Sequence, residues 1–367
     1  VSFPSLAAEA DPQDDPDTPG WDDAHGGPLR NAVAARGAQV RELVSNTPLA
    51  NLLLLVLAIG LALWSGLSFV AGPHSSVIAF AAVTPMVSVI AVPVIAFAAR
   101  GRQWVTVAVG TMAAVLPWGL VAGYAVPSAE PPQNALSLRV MTVNTHLGNA
   151  DPEQIVTAAR ANGVDLLVLA EVNDAMTHEL TVAGIDAVVQ ARWLSEPERR
   201  HGRLGLWSRY SVDPVVPVLG TTLPTAQGTL HLGEVPVEFV ATQVASPFPP
   251  RFPFVFDSNR WHQDLRRLTE VVGTSTAPHR ILVGDLGATP WNADYRALTA
   301  ATGLRDAGDV VGRGLRPTWP AWGMTPLAPL DHVLVSDRIG VRSMGTVLIS
   351  GATHRALMVD LAIPRPA

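Results

Sequence analysis

The 367-residue chain has no cysteine and no lysine. The first absence excludes disulfides and thiol-based metal sites, so any metal must be held by oxygen or imidazole ligands. The second leaves arginine as the source of all 25 basic charges, a bias of genomic composition and not of mechanism. An excess of basic charge is also missing, since from residue 127 onward 20 arginines face 23 acidic residues. A protein that tracks a polyanionic backbone carries a basic face, and this near-neutral balance gives no sign of one, so nucleic acid is not an expected partner. About 48 residues, many of them acidic, precede the first apolar run, so a cleavable signal peptide is not expected either.

Charge vanishes where apolar residues concentrate. Leu49 to Val70, Val77 to Ala99 and Trp104 to Val126 are uncharged and each longer than 20 residues, enough to cross a hydrocarbon core of about 30 Å. They predict three transmembrane helices, because a buried helical core would show shorter runs with polar faces. Pro85, Pro93 and Pro117 inside them predict kinks, which neighbouring helices can accommodate. Arg30, Arg36 and Arg41 precede the first run and Arg100 and Arg102 separate the second from the third, whereas the AGPHSS loop and the PSAEPPQ exit carry no arginine. Positive charge favours the cytoplasmic side. The expectation is a multi-pass cell-membrane protein with a cytoplasmic amino terminus and RGR turn, and with everything beyond about residue 127 extracytoplasmic.

Composition divides the chain further. Residues 1–28, rich in Asp, Pro and Gly, read as a disordered acidic tail. Residues 29–47 read as a juxtamembrane helix, 48–127 as the three-helix transmembrane domain, 128–135 as a linker and 136–367 as a folded domain. Within that domain, short β-type runs alternate with helical stretches. Leu138 to Asn144, Leu166 to Glu171, Val237 to Gln243, Ile281 to Gly284, His332 to Ser336 and Ala356 to Ala362 predict strands, and Pro152 to Asn162 and Arg260 to Val272 predict amphipathic helices. Asn144, Glu171 and Asp285 each close an apolar run, where a rigid strand presents a polar group to a cleft. Trp261, Trp291, Trp319 and Trp322 suit either a core or the lining of a cleft.

In order, the segments LRVMTVN, DLLVLAEV, GLWSRY, VATQVASP, ILVGDLGATPWN, PLDHVLVS and GATHRAL resemble the endonuclease/exonuclease/phosphatase superfamily of metal-dependent phosphoesterases. The layout of an anchor followed by this domain is similar to actinobacterial membrane proteins associated with glycopeptide resistance. The resemblance implies an α/β fold, a DNase I-like four-layered sandwich behind the three helices. It implies that Asn144 positions the phosphate or the attacking water, that Glu171 is the principal Mg²⁺ ligand and that Asp285 orients or deprotonates the water. Asp331 then stands behind the catalytic His354. His332 is expected to point to the opposite face as a structural residue, and His146 is a weaker candidate.

Three positions depart from the family pattern: Gln243 stands where the family has His, Gly287 where it has Asn, and Thr353 where it has Asp before the last His. Each departure removes a charge or donor aimed at the transition state, and a single such loss costs about 10² to 10³ in rate. The expected function is therefore an extracytoplasmic protein with an eroded catalytic site, a binding or scaffold component of the cell envelope with an envelope protein as partner. The alternative is a working Mg²⁺-dependent phosphodiesterase or phosphatase acting on a lipid-linked phosphate or another envelope phosphoester, with Gln243 and Thr353 as altered members of its site.

Overall fold

The computed structural model describes residues 47–72, 74–198, 200–247, 258–323 and 325–365. The acidic tail and juxtamembrane helix expected before residue 47 lie outside these described residues. The chain first forms four helices, α1 (Pro48–Gly66), α2 (Ser75–Ala82), α3 (Pro85–Arg100) and α4 (Trp104–Gly119). With a 3₁₀ turn, the first segment runs Pro48–Phe69 at a mean hydropathy of 2.3 and is long and apolar enough to cross a membrane. The second apolar run is not one straight span, because α2 and α3 meet at a 68° bend. Pro85 sits in the first turn of α3, where its missing N–H ends the preceding helix. The third run is helical only to Gly119. Three full spans, as the sequence predicts, are thus reduced to one helix of spanning length, a bent pair and a shorter apolar helix.

These helices form a hairpin-like bundle. Ala58, Leu61, Val87, Ala91, Val94 and Ala113 pack inside it. Ser65 Oγ donates to the Ala113 carbonyl at 2.6 Å and Ser88 Oγ to that of Ala114 at 2.7 Å, tying the helices together. Gln103 donates to Asn51, placing the arginine-bearing α3–α4 turn beside the start of α1. The larger side chains Leu53, Val56, Leu57, Val92 and Val115 point outward.

The second region begins with β1 (Leu136–Asn144), α5 (Pro152–Ala161), β2 (Leu166–Val172), α6 (Asp174–Val182), β3 (Ala191–Leu194) and β4 (Arg203–Ser208). It continues through β5 (Val216–Pro217), β6 (Thr225–Leu232), β7 (Val235–Gln243), α7 (Asn259–Thr274), β8 (Arg280–Asp285), α8 (Ala293–Thr302), β9 (Arg305–Asp306) and α9 (Ala307–Val310). β10 (Asp331–Val335), β11 (Gly340–Val347) and β12 (Ala356–Ile363) complete it. The strands form two six-stranded sheets, ordered β11-β12-β1-β2-β4-β3 and β5-β6-β7-β8-β10-β9.

The two-residue period of a strand assigns each face its layer. Val140, Val168 and Leu206 of the first sheet meet Val237, Phe239 and Val283 of the second between the sheets. The alternate residues Met141, Val143, Leu167 and Leu169 pack beneath α5 and α6 against Ile155, Met176 and Leu180. On the other side, Val240, Leu282 and Leu334 lie against Trp261, Leu265 and Leu298 of α7 and α8. The result is a four-layered α/β sandwich buried on both faces of both sheets, which is why its central strands read as apolar runs. The predicted linker is packed onto it, with Pro127 bridged to Val311 and Ser128 N–H donating to the Val310 carbonyl at 3.0 Å.

Candidate active site

The central strands all deliver polar side chains at one end of the sandwich. Asn144 closes β1 beside β2, which carries Glu171, and Gln243 pairs with Asp285 across the parallel β7–β8 ladder. Asp331 opens β10 opposite Asp285, and His354 lies in the turn before β12. Gly284 makes this placement possible. A Cβ there would stand 1.8 Å from the Thr242 carbonyl oxygen, so only glycine lets β8 approach β7 closely enough to set Asp285 next to Gln243.

Glu171 reaches the cleft through a local distortion. The β2–β4 register shifts between Leu169 and Val172, and Glu171 has a left-handed φ of 63°. Its loop neighbours His146 and Leu147 are also left-handed, at 54° and 56°. Such conformations are strained for large residues and persist where the surroundings enforce them. Here Thr145 Oγ1, which contacts the Ala170 and Glu171 carbonyls at 2.8 and 2.9 Å, holds the bulge. Nothing in the sequence signals this role of Thr145.

The Glu171 carboxylate accepts three hydrogen bonds from the chain itself, of about four that its two oxygens can take. Oε1 accepts from Asn144 Nδ2 at 3.0 Å and from Gln243 Nε2 at 2.7 Å, and Oε2 accepts from the Leu147 N–H at 3.0 Å. Asp285 is similarly engaged, accepting from the Gly287 N–H at 3.0 Å and from Asn144 Nδ2 at 3.3 Å. The His146 N–H donates to Asn144 Oδ1 at 2.9 Å, which fixes the amide.

His354 Nδ1 donates to Asp331 Oδ2 at 2.8 Å and lies 3.8 Å from Asp285 Oδ2. All three residues are buried. Burial opposes the imidazolium charge, but the Asp331 and Asp285 carboxylates outweigh it and raise His354 to about 9. Burial likewise raises Asp285, to about 6, against the pull of the His354 cation. Thr318, which the sequence reading overlooked, orders the start of β10 by accepting from the Leu330 and Asp331 N–H groups at 3.1 and 3.3 Å.

The three departing positions behave differently from one another. Gln243 joins the Glu171 network. Gly287 is left-handed at 54°, and a Cβ on it would lie 3.1 Å from Pro247 Cδ and 3.5 Å from Trp261 Nε1. Thr353 is half-buried, and its carbonyl accepts from the Ala321 N–H at 2.8 Å. Trp261 and Trp291 are buried, as a core role predicts, while Trp319 and the exposed Trp322 stack edge to face on the loop that meets Thr353. His332 points away from the cleft into a buried cluster with Asp306, 2.7 Å from its Nδ1.

A divalent ion here would share its ligands with internal hydrogen bonds. Hard cations take six or more oxygen ligands, and Glu171 Oε1 already accepts from Asn144 and Gln243, which leaves Oε2 as its freer oxygen. The ligand atoms of Asp285, Asp331 and His354 lie within 4.8 Å of one another, but His354 Nδ1 is committed to Asp331.

Comparison with known proteins adds the family. The Endonuclease/Exonuclease/phosphatase family model matches residues 141–354, which span every site residue above. No curated protein matches the chain. Among solved structures, an endonuclease/exonuclease/phosphatase from Bacteroides vulgatus superposes with a TM-score of 0.50 at 12% identity, covering 62% of this chain and 100% of that one. The corresponding values are 0.46, 19%, 62% and 72% for an endonuclease/exonuclease/phosphatase from Beutenbergia cavernae. For sphingomyelinase C from Streptomyces griseocarneus they are 0.45, 16%, 61% and 99%. At such identities the likeness concerns the fold alone.

Proposed function

This chain belongs to the endonuclease/exonuclease/phosphatase family, and within it we propose a membrane-anchored, extracytoplasmic member whose eroded site binds instead of hydrolysing. The observation that carries the reading is that Gln243, which stands where the family has His, turns its amide onto Glu171 Oε1 and away from any substrate phosphate. Gly287 offers no side chain to the transition state. The protein then acts as a binding or scaffold component of the cell envelope. Asn144 and Gln243 spend their amide donors on Glu171, whereas on the Asp331–His354 side a charged imidazolium suits an anionic group held without turnover.

Anchoring is supported by the outward-facing apolar side chains of the helical hairpin and by its polarity. Its arginine-bearing turn lies at the end away from the sandwich, which matches a cytoplasmic turn and an extracytoplasmic domain. Single cysteines at Arg102 and Gln133 test the orientation. A membrane-impermeant thiol reagent should label position 133 and not 102 on intact cells, and the reverse pattern contradicts it.

Titration of the purified full chain with Mn²⁺ tests whether these internal hydrogen bonds to Glu171 outcompete a metal. No heat that depends on Glu171 is expected. Low-micromolar binding abolished by Glu171→Ala would instead establish a working metal site and favour the hydrolytic reading.

A further inference from the structure

Outside the helical hairpin, the sandwich keeps its large apolar side chains inside with few exceptions, and those exceptions cluster. Among the described residues after 126, six large apolar side chains are exposed: Leu147, Val182, Val216, Leu219, Trp322 and Leu348. Four of them lie on loops at the end of the sandwich that carries the site. Leu147 follows β1 and donates its N–H to Glu171. Leu219 precedes β6, whose first residue Thr225 pairs with Thr242 beside Gln243. Trp322 adjoins the Ala321–Thr353 hydrogen bond, and Leu348 leads from β11 into the turn of His354. The turns at the opposite end, residues 162–165, 183–190, 209–215, 233–234, 275–279 and 336–339, show none themselves among the described residues. Only Val182, at the end of α6, and Val216, at the start of β5, border them.

The hairpin joins the sandwich at this same end. Asn292, seven residues beyond Asp285, donates to the Ile78 carbonyl at 3.0 Å, and His262 near the start of α7 donates to that of Gly72 at 2.9 Å. Arg296 donates to the Ser68 carbonyl, and Trp118 meets Trp291 edge to face at 5.7 Å. Ile78 of α2 is buried among Trp261, Leu265 and Tyr295. The hairpin, with its apolar exterior, therefore meets the sandwich at the end that carries the rim of strand-end loops. A tryptophan and leucines standing beside a spanning segment match the side chains that settle at a membrane–water boundary.

We propose that this rim, carrying Leu147, Leu219, Trp322 and Leu348, lies on the headgroup layer of the bilayer that holds the hairpin, so that the Glu171–His354 cleft opens onto the membrane surface. The inference rests on the anchoring reading and deepens it, since the anionic group held beside His354 then comes from a lipid headgroup and not from bulk solution. It also gives the closed junction a purpose. Four contacts from three different segments of the hairpin fix the tilt of the domain, which a flexible tether would leave free.

The absence of native cysteine makes the test direct. The full chain is reconstituted into phosphatidylethanolamine–phosphatidylglycerol vesicles containing a doxyl-labelled lipid, with an environment-sensitive thiol fluorophore at one position per variant. The variants are Leu147→Cys, Trp322→Cys and Leu348→Cys on the rim, Val182→Cys on the flank and Leu53→Cys on the hairpin. The three rim positions should shift their emission to the blue and lose most of it to the doxyl lipid, as position 53 does, while position 182 stays water-exposed and unquenched. Quenching at 53 with none at 147, 322 or 348 overturns the inference and leaves the anchor standing. Equal quenching at 182 and the rim overturns it too, because the domain would then lie on its side. No quenching at 53 removes the anchor and the inference together.

Discussion

The helices of residues 48–119 and the sandwich beyond residue 136 use apolar side chains in opposite ways. In the sandwich, Val140, Leu167, Phe239 and Leu282 are almost fully enclosed, while the outer surface is largely polar. In the hairpin Ala58, Ala91 and Ala113 are enclosed together with Leu61, Val87 and Val94, while the equally large Leu53, Val56, Leu57 and Val92 face out. Small residues inside permit close helix approach by packing alone, whereas a water-soluble bundle gains its stability by hiding its largest apolar groups. The sandwich thus encloses its large apolar groups, and the outward apolar side chains of the hairpin support the proposed membrane anchor. Among the described residues, the two ends of the sandwich also differ, since exposed leucine and tryptophan lie at one end only.

The sharpest way to break this contrast is to truncate one buried and one outward side chain. Phe239→Ala inside the sandwich should cost about 3–5 kcal/mol in denaturant unfolding, whereas Leu53→Ala on the hairpin should stay within about 0.5 kcal/mol in detergent. A charge reverses the sensitivities. Leu57→Arg near the middle of α1 should weaken membrane retention by about 2.5–3.5 kcal/mol, and Val182→Arg on the sandwich should not alter it.

A third effect is confined to pH. His354 has a folded value of about 9 against an ordinary 6.5, so the stability it supplies is complete below about pH 6.5 and is lost as pH rises through 9. The shift corresponds to roughly 3 kcal/mol at most. Denaturant unfolding between these pH values should show the decline in the native chain, and His354→Gln should flatten it. Asp285 titrates lower, near 6, and its raised value removes stability as pH rises from about 3.8 to 6, a separate window. A smaller loss than that of Phe239→Ala is expected at the junction. Asn292→Ala removes the bond to Ile78 and the acceptor of the Thr289 N–H, at a cost of about 1–2 kcal/mol.

The sequence shows the inner strands plainly because burial on both faces makes apolar runs of β1, β2, β7, β8, β10 and β12. It hides β6 and β11, whose Gln227, Gly228, Arg342 and Ser343 interrupt any run, and it hides the two-residue β5 and β9. It overstates the second membrane run, since composition is continuous across Val83–Pro85 while the backbone bends there. At the site, the residues expected to converge do so: Asn144, Glu171, Gln243, Asp285, Asp331 and His354 form one network. What was not legible is how Glu171 is satisfied. That depends on left-handed backbone at Leu147 and Glu171, a conformation disfavoured for both residue types and enforced by tertiary contacts such as those of Thr145.

The central proposal is that the site lacks the donors that hydrolysis needs, and turnover tests it most directly. The full chain is assayed on bis-p-nitrophenyl phosphate with Mg²⁺, beside a variant combining Gln243→His, Gly287→Asn and Thr353→Asp. The native chain should show no hydrolysis above background. The combined variant should gain orders of magnitude, since each positioned donor contributes about 10² to 10³, once Pro247 yields to the new side chain at position 287. Native turnover that disappears with Asp285→Ala or His354→Ala would contradict the account and make the protein a working phosphodiesterase.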